Sequence, residues 1–402
     1  MNRREFLACC GAAGAASAAG MLGWPRGTWA WAAGDGEGPA VVVVFLRGAV
    51  DGLSVVVPYA ERRYYDLRPT VAVAQPGKPG GAIDLDGRFG LHPALEPLAR
   101  WYRDGRLAFV HATGSPDPTR SHFDAQDYME TGVPGDKSVR EGWLNRGLAA
   151  LGGSQGTFDG VALSPVQPVI TGGSQAMLCV PELRALRLDA GKQASRSFEE
   201  MYAGAVRTVL GEAGREAFTA LSEVQRGRLA AVKPAENYPK GRLGTSLPDI
   251  SRLLKAGVGT RLAFTDAGGW DTHGRQSATL ETRLRELGTA LSAFAADLGP
   301  HFDRTLVLVM SEFGRTVAEN GTGGTDHGHG NAMWVLGGKV RGGRVLGDWP
   351  GLDESALYEG RDLAITTDFR TVAAEAWGGH MGSGHDKLFP GFKSGKSSGL
   401  FS

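Results

Sequence analysis

Two short apolar runs restrict the fold of this chain more than any other feature: A-V-V-V-V-F-L at residues 40–46 and T-L-V-L-V-M at residues 305–310. Both are rich in β-branched side chains and lack the polar alternation of a half-exposed strand. Segments of this kind are strands covered on both faces, as in a parallel sheet whose crossover helices lie over it. Residues 107–112 (L-A-F-V-H-A), 261–265 (R-L-A-F-T) and 332–336 (A-M-W-V-L) extend the pattern, and shorter strands are expected at 161–163 and 176–180.

Helical periodicity fills the intervals. Leu280, Leu284, Leu287, Leu291, Phe294 and Leu298 recur at steps of three and four, with Glu281 and Arg285 paired on the outer face. Residues 91–103 carry Leu95, Leu98 and Trp101 or Tyr102 on one face, residues 142–151 suggest another helix, and 369–377 a closing one. Ile250, Leu253 and Leu254 belong to a helix that Gly257 would stop. Strands alternating with helices predict an α/β fold with a doubly wound, mostly parallel sheet. Residues 181–256, mostly helical and including Phe218, Leu221 and Val224, form a helical insertion within a single domain spanning 34–402.

The N-terminus carries an address. Asn2-Arg3-Arg4-Glu5-Phe6-Leu7 is a twin-arginine signal, and Ala30-Trp31-Ala32 supplies the small-x-small pattern for cleavage near residue 33. The Ala/Gly-rich stretch between them is too short for a membrane span, which needs about 20 mostly apolar residues. The expectation is a periplasmic or extracytoplasmic protein, delivered by the twin-arginine translocase, with no stable membrane span. Cleavage removes Cys9 and Cys10 and leaves Cys179 alone, so the mature chain has no internal disulfide. Lys+Arg and Asp+Glu both total 43. With no basic stripe among the aromatics, this balance excludes nucleic acid as a partner. The 61 glycines are about twice the usual share and gather at the ends of apolar runs, where tight turns or close backbone approach require them. Residues 391–402 have the composition of a frayed tail.

Ionisable groups collect around the strand ends. Asp51 follows the first strand, Ser121, His122 and Asp124 the second, Asp271 and His273 the strand at 261, and Glu312 and Arg315 the strand at 305; Asp326, His327 and His329 precede the strand at 332. Ligands of open parallel sheets sit at the carboxyl ends of the strands, so five segments would deliver acids and histidines to one edge. Such donors suit zinc, manganese, magnesium or calcium, which polarise ester oxygens and acidify water. Arg315 and Arg47 would grip a phosphate or sulfate group, and Ser121 or Thr119 is the candidate nucleophile beside His122. Asp51 and Asp271 also have plain structural uses, as a turn residue and a helix cap. His92, His111 and His301 are expected to be structural.

The stretches F-L-R-G-A-V-D-G-L-S, S-H-F-D-A-Q-D-Y-M-E-T-G, G-W-D-T-H, S-E-F-G-R-T and T-D-H-G-H-G run through most of residues 41–389. Together they resemble the exported family called domain of unknown function 1501, grouped with the alkaline phosphatase and sulfatase superfamily. The resemblance implies metal ligands at the carboxyl end of a parallel sheet. It implies Asp51 as the superfamily's aspartate after the first strand, and Asp271 and His273 as its Asp-x-x-x-His pair with shortened spacing. Its Asp-His pair falls on Glu312-Phe313, losing the histidine, or on Asp326-His327 displaced by a loop; His327 or His329 resembles its last histidine. Pro118-Thr119-Arg120 is similar to the Pro-Ser-Arg of sulfatases, but Pro116 stands where their modified cysteine would be, which excludes a formylglycine sulfatase.

The activity expected is metal-dependent hydrolysis of a phosphate or sulfate ester on a small molecule or glycan. Asp51, Asp271, His273, Glu312, Asp326, His327 and His329 are the expected ligands of zinc, manganese or calcium, and Ser121, His122 and Arg315 the catalytic groups. The alternative is a non-catalytic cell-envelope protein whose degenerate site holds a structural ion or a glycan. No haem-attachment motif, cysteine cluster or dinucleotide fingerprint points to a redox protein.

Overall fold

The computed structural model describes residues 38–186, 228–235 and 237–401. The expected signal at 1–33 and the helical segment of Phe218, Leu221 and Val224 lie outside the described residues.

One nine-stranded sheet organises the chain. Its strands are β1 (Ala40–Arg47), β2 (Leu107–Gly114), β3 (Gly160–Leu163), β4 (Leu178–Val180), β5 (Leu262–Gly268), β6 (Thr305–Met310), β7 (Asn331–Gly337), β8 (Arg344–Leu346) and β9 (Thr367–Asp368). They lie in the order β8-β2-β7-β6-β1-β5-β3-β4, with β9 also paired to β2. β1 is central, its Val41 in register with Leu262 on one side and Leu306 on the other.

The β-branched composition of β1 has a direct consequence. Successive side chains of a strand point to opposite faces, so Val42, Val44 and Leu46 enter one core and Val41, Val43 and Phe45 the other. The first core is closed by α1 (Glu96–Arg103), α4 (Arg242–Ala256) and α5 (Gln276–Leu298). The second is closed by α3 (Trp143–Ala150) and α6 (Phe369–Met381), together with Met129 of α2 (His122–Thr131). The sheet is doubly wound, as the periodicities require. Among the described residues of the expected insertion, α4 packs on α5 and β5 as part of this layer. No helix of the described residues is long and apolar enough to cross a membrane.

One strand breaks the parallel rule. β7 runs antiparallel to both β2 and β6, and every other pairing in the sheet is parallel. The connection over residues 311–330 therefore leaves and re-enters the sheet at the same edge, the carboxyl edge of β1, β2, β5 and β6.

The C-terminal tail is packed rather than frayed. Glu375 of α6 accepts hydrogen bonds from the Ser398 backbone N–H (2.6 Å) and the Leu400 backbone N–H (2.7 Å), and Leu400 is fully buried. Composition suggested fraying because Gly and Ser dominate the segment. A single half-buried acid and an apolar anchor outweigh it.

Candidate metal centre

Four side chains from three loops meet at the carboxyl edge: His122, Asp271, His273 and His327. His122 opens α2, Asp271 and His273 follow β5, and His327 lies on the β6–β7 connection. The Nε2 atoms of His273 and His327 stand 3.0 and 3.3 Å from Asp271 Oδ1, and His122 Nε2 is 3.5 Å from Oδ2. His273 and His327 face each other Nε2 to Nε2 at 3.0 Å.

The far side of each imidazole is already committed. His122 Nδ1 lies 2.8 Å from Glu312 Oε1, His273 Nδ1 2.7 Å from Asp326 Oδ1, and His327 Nδ1 2.9 Å from the Arg120 carbonyl oxygen. All three partners can only accept, so each Nδ1 carries a proton, and in its neutral form each ring turns a lone pair toward Asp271. Nitrogen lone pairs and a carboxylate at such distances repel unless a cation or an extra proton lies among them. Ligands about 2.0–2.1 Å from a tetrahedral zinc stand about 3.3–3.4 Å apart; the ligand atoms of His122, Asp271 and His327 all lie within 4.8 Å of one another, and His273 Nε2 stands 3.0 Å from both Asp271 Oδ1 and His327 Nε2. Imidazoles that donate their other N–H to a carboxylate or carbonyl are also the usual supports of a metal site. His122 Nε2 is buried and has no hydrogen-bond partner among the described residues. The donor set fits a divalent ion.

Electrostatics agree. Burial opposes ionisation of Asp271, but the Arg315 guanidinium, 2.6 Å away, outweighs it and holds the carboxyl below its ordinary range. The hydrogen bond to Glu312 raises the pKa of His122 against its burial, and burial lowers that of His327. Protons therefore compete with an ion chiefly at His122. Affinity for a metal falls as pH drops through that raised value.

The loops are built for close approach. A Cβ on Gly314 would stand 1.8 Å from the Gly330 carbonyl oxygen, and one on Gly324 2.4 Å from the His273 carbonyl carbon. Only glycine fits at those two positions. Arg315 is buried and binds the Ala49 (2.8 Å), Thr325 (3.1 Å), Gly48 (2.6 Å) and Trp270 (3.2 Å) carbonyl oxygens in addition to Asp271. It fastens three loops together, and its donors are taken up by the protein rather than by an anion. α5 starts at Gln276 behind Arg275, so Asp271 is not its cap.

Other expected site residues hold supporting places or stand apart. Glu312 is buried and supports His122; its Oε1 also accepts from Gly48 N and Gln126 Nε2, both at 2.8 Å. Asp326 supports His273. Asp51 does not join the cluster: its carboxylate is fully enclosed and accepts from Arg68 Nη1 (2.6 Å), Ser54 Oγ (2.6 Å) and Gln276 Nε2 (2.7 Å). A guanidinium occupies its acceptor positions, where the superfamily resemblance implies a metal. Ser121 is the N-cap of α2, accepting from Asp124 N at 3.5 Å. His329 stacks on Tyr358 with ring centroids 4.2 Å apart and contributes nothing to the four-residue cluster. Arg47 is held by Asp266 (2.7 Å) and Glu130 (2.8 Å).

Sequence reasoning missed Arg68, Gln276 and Gln126, and took no account of the Arg120 carbonyl. Gln126 was detectable, standing four residues after His122 on the same helical face. Gln276 joins Asp51 to Thr272 and Thr325, whose hydroxyls donate to its Oε1 at 3.0 and 2.6 Å. Arg68 has no local signature.

Glu312→Gln retains one acceptor and turns an NH2 toward groups that donate. Loss of such a supporting carboxylate costs about 10–100-fold in metal affinity. Competition with a chromophoric chelator measures this, and unchanged affinity would remove Glu312 from the support role.

Sheet and cluster together define a doubly wound α/β protein with a histidine–carboxylate centre at its carboxyl edge. Residues 39–388 match the model of the family described as "Protein of unknown function (DUF1501)", and the chain belongs to that family. Comparison with curated proteins returns no match. Among solved structures, a sulfatase from Pseudoalteromonas sp. is 15% identical, with 90% of this chain and 74% of that one covered at a TM-score of 0.36. The alkaline phosphatase of the Antarctic bacterium TAB5 is 12% identical, with 75% and 92% covered at 0.34. The phosphonate monoester hydrolase of Agrobacterium radiobacter is 11% identical, with 89% and 78% covered at 0.30.

Proposed function

We propose that this protein is an exported hydrolase of phosphate or sulfate esters that works with a single transition-metal ion held by His122, Asp271, His273 and His327. The observation that carries the reading is the set of three imidazole lone pairs turned on one carboxylate, with all three Nδ1 atoms fixed by acceptors. Three nitrogens and one oxygen favour zinc or manganese over calcium, which takes six to eight oxygen ligands. Such an ion supplies Lewis-acid polarisation of an ester oxygen and a more acidic water.

The chain's own groups set the conditions. Arg315 keeps Asp271 ionised and fixes its orientation, while Glu312 and Asp326 fix the rings of His122 and His273. The Asp271 and His273 side chains are 44% and 46% exposed, so the centre is open to an ester from solvent among the described residues. Export rests on the arginine pair at Arg3 and Arg4 and on a mature chain whose remaining cysteine, Cys179, is free.

A second reading has its own support. Arg315 and Arg47 are both engaged by protein acceptors and Ser121 caps a helix. That pattern favours a non-catalytic metal protein of the cell envelope. Metal analysis of mature, untagged protein, followed by assays with p-nitrophenyl phosphate and p-nitrophenyl sulfate, separates the two. Near-stoichiometric zinc or manganese with turnover that a chelator abolishes supports the hydrolase. Metal without turnover supports the second reading, and folded, metal-free protein defeats both.

A further inference from the structure

A buried acid outside the ligand set stands one step behind His327. Asp362, on the loop between β8 and β9, is fully enclosed and is the shared partner of two arginines. Its Oδ2 accepts from Arg120 Nη2 at 2.7 Å, and its Oδ1 from Arg361 Nε at 2.9 Å. Arg361 Nη2 adds a longer contact to Oδ2 at 3.2 Å.

Both arginines lead to the same ligand. His327 Nδ1 donates to the backbone carbonyl of Arg120 at 2.9 Å, and the His327 carbonyl accepts from Arg361 Nη2 at 2.6 Å. One contact sets the rotation of the ring, and the other the course of the backbone that carries it. His122 and His273 lean on carboxylates of their own, Glu312 and Asp326. His327 leans instead on a neutral carbonyl, which the Arg120 side chain helps to anchor. Arg120 Nε is buried without a partner among the described residues, so that side chain is held through Nη2, which Asp362 and the exposed Glu359 share.

The loop is shaped around this acid. Tyr358 and Asp362 exchange backbone hydrogen bonds at 2.8 and 3.0 Å, and the turn between them places Glu359 at φ +53°, a conformation seldom adopted by residues other than glycine. Val317 N donates to the Arg361 carbonyl oxygen at 3.2 Å, which fastens the same loop to the β6–β7 connection. The Arg120 and Arg361 side chains are 30% and 46% exposed, so water could have served both. An enclosed carboxylate that holds them adds little net stability, because desolvation offsets much of the attraction. What it adds is a fixed geometry.

Granted a metal ion at His122, Asp271, His273 and His327, we propose that Asp362 is a positioning residue of the centre. Through Arg120 and Arg361 it fixes the ring and the backbone of His327 for the ion.

The test is titration of mature, untagged protein with cobalt(II), read by competition with a chelator and by visible absorption, which reports the geometry of the bound ion. Asp362→Asn keeps the volume but turns an NH2 toward one of the arginines. It is expected to weaken cobalt binding about tenfold, the lower end of the cost of losing an outer partner of a metal ligand, and to change the visible spectrum. Arg361→Ala, made at a half-exposed side chain, should move both readouts the same way but by less, because the Arg120 contact remains. It decides alone if Asp362→Asn fails to fold. Glu375, whose partners all lie in the C-terminal tail, supplies the control. Glu375→Gln should lower the melting temperature and leave cobalt affinity and spectrum unchanged. Unchanged affinity and spectrum in Asp362→Asn or Arg361→Ala, or equal weakening in Glu375→Gln, would overturn the positioning role while the metal centre stands. A wild type that binds no cobalt would overturn the centre itself.

Discussion

Replacing Arg68 by methionine is expected to destabilise the protein by about 3–5 kcal/mol at neutral pH, the usual cost of leaving one member of a buried pair without its partner. Both side chains are fully enclosed, and the guanidinium holds both oxygens of Asp51 at 2.6 and 3.1 Å. It also binds the carbonyl oxygens of Val317 (2.7 Å) and Thr316 (2.8 Å), so the substitution orphans the β6–β7 connection as well. In the wild type, burial works against Asp51 but Arg68 prevails and lowers its pKa. That stability is present above the unfolded value, about 3.9, and is lost as pH falls through the lower folded value. In the variant the sign is expected to reverse, because desolvation, the largest influence on Asp51, is then opposed only by the Ser54 and Gln276 hydrogen bonds and by Arg315. The penalty should be largest at pH 7 and shrink on acidification toward pH 4. Denaturant unfolding at the two pH values measures it. A loss that does not change with pH would mean that Asp51 is not the group left exposed to the energy cost.

The second large effect concerns the metal itself. His327→Ala is expected to abolish stoichiometric metal and with it any thermal stabilisation by added ion. For the wild type at free metal about a thousandfold above Kd, that stabilisation amounts to about 4 kcal/mol. Asp271→Ala should lose metal too, but with an added penalty that His327→Ala lacks. Without Asp271, Arg315 keeps a buried charge that faces only carbonyl oxygens. Melting curves with and without chelator therefore sort the two variants. In chelator His327→Ala should melt near the wild type and Asp271→Ala well below it; equal melting would deny Arg315 its electrostatic debt to Asp271.

The scaffold was legible because apolar runs report burial directly. β1, β2, β5 and β6 fall where the apolar runs lie, and α5 follows its leucine spacing. The direction of β7 was not legible, since a run such as A-M-W-V-L is equally apolar in either orientation. Yet that direction decides the site. Had β7 been parallel, His327 would have entered the sheet at the opposite edge from Asp271. The residue types of the centre were visible, but their ranks were not: Asp51 and Glu312 are acids at strand ends like Asp271, and only long-range partners distinguish them. Arg68 meets Asp51 seventeen positions away, a relation without periodicity. Such contacts are set by tertiary packing and leave no local trace.

The hairpin course of residues 311–330 also orders events in time. It is expected to close before the longer-range pairings, because its two strands are neighbours in sequence and the cost of closing a loop rises with its length. By itself it offers the ion one ring, that of His327, with Asp326 beside it. His122 arrives with β2, and Asp271 and His273 with β5, across much longer stretches of chain. No partly folded species that lacks one of these strands can assemble the full ligand set. The ion would then act as a final inspection, retained by chains whose sheet is complete and released by those that are not.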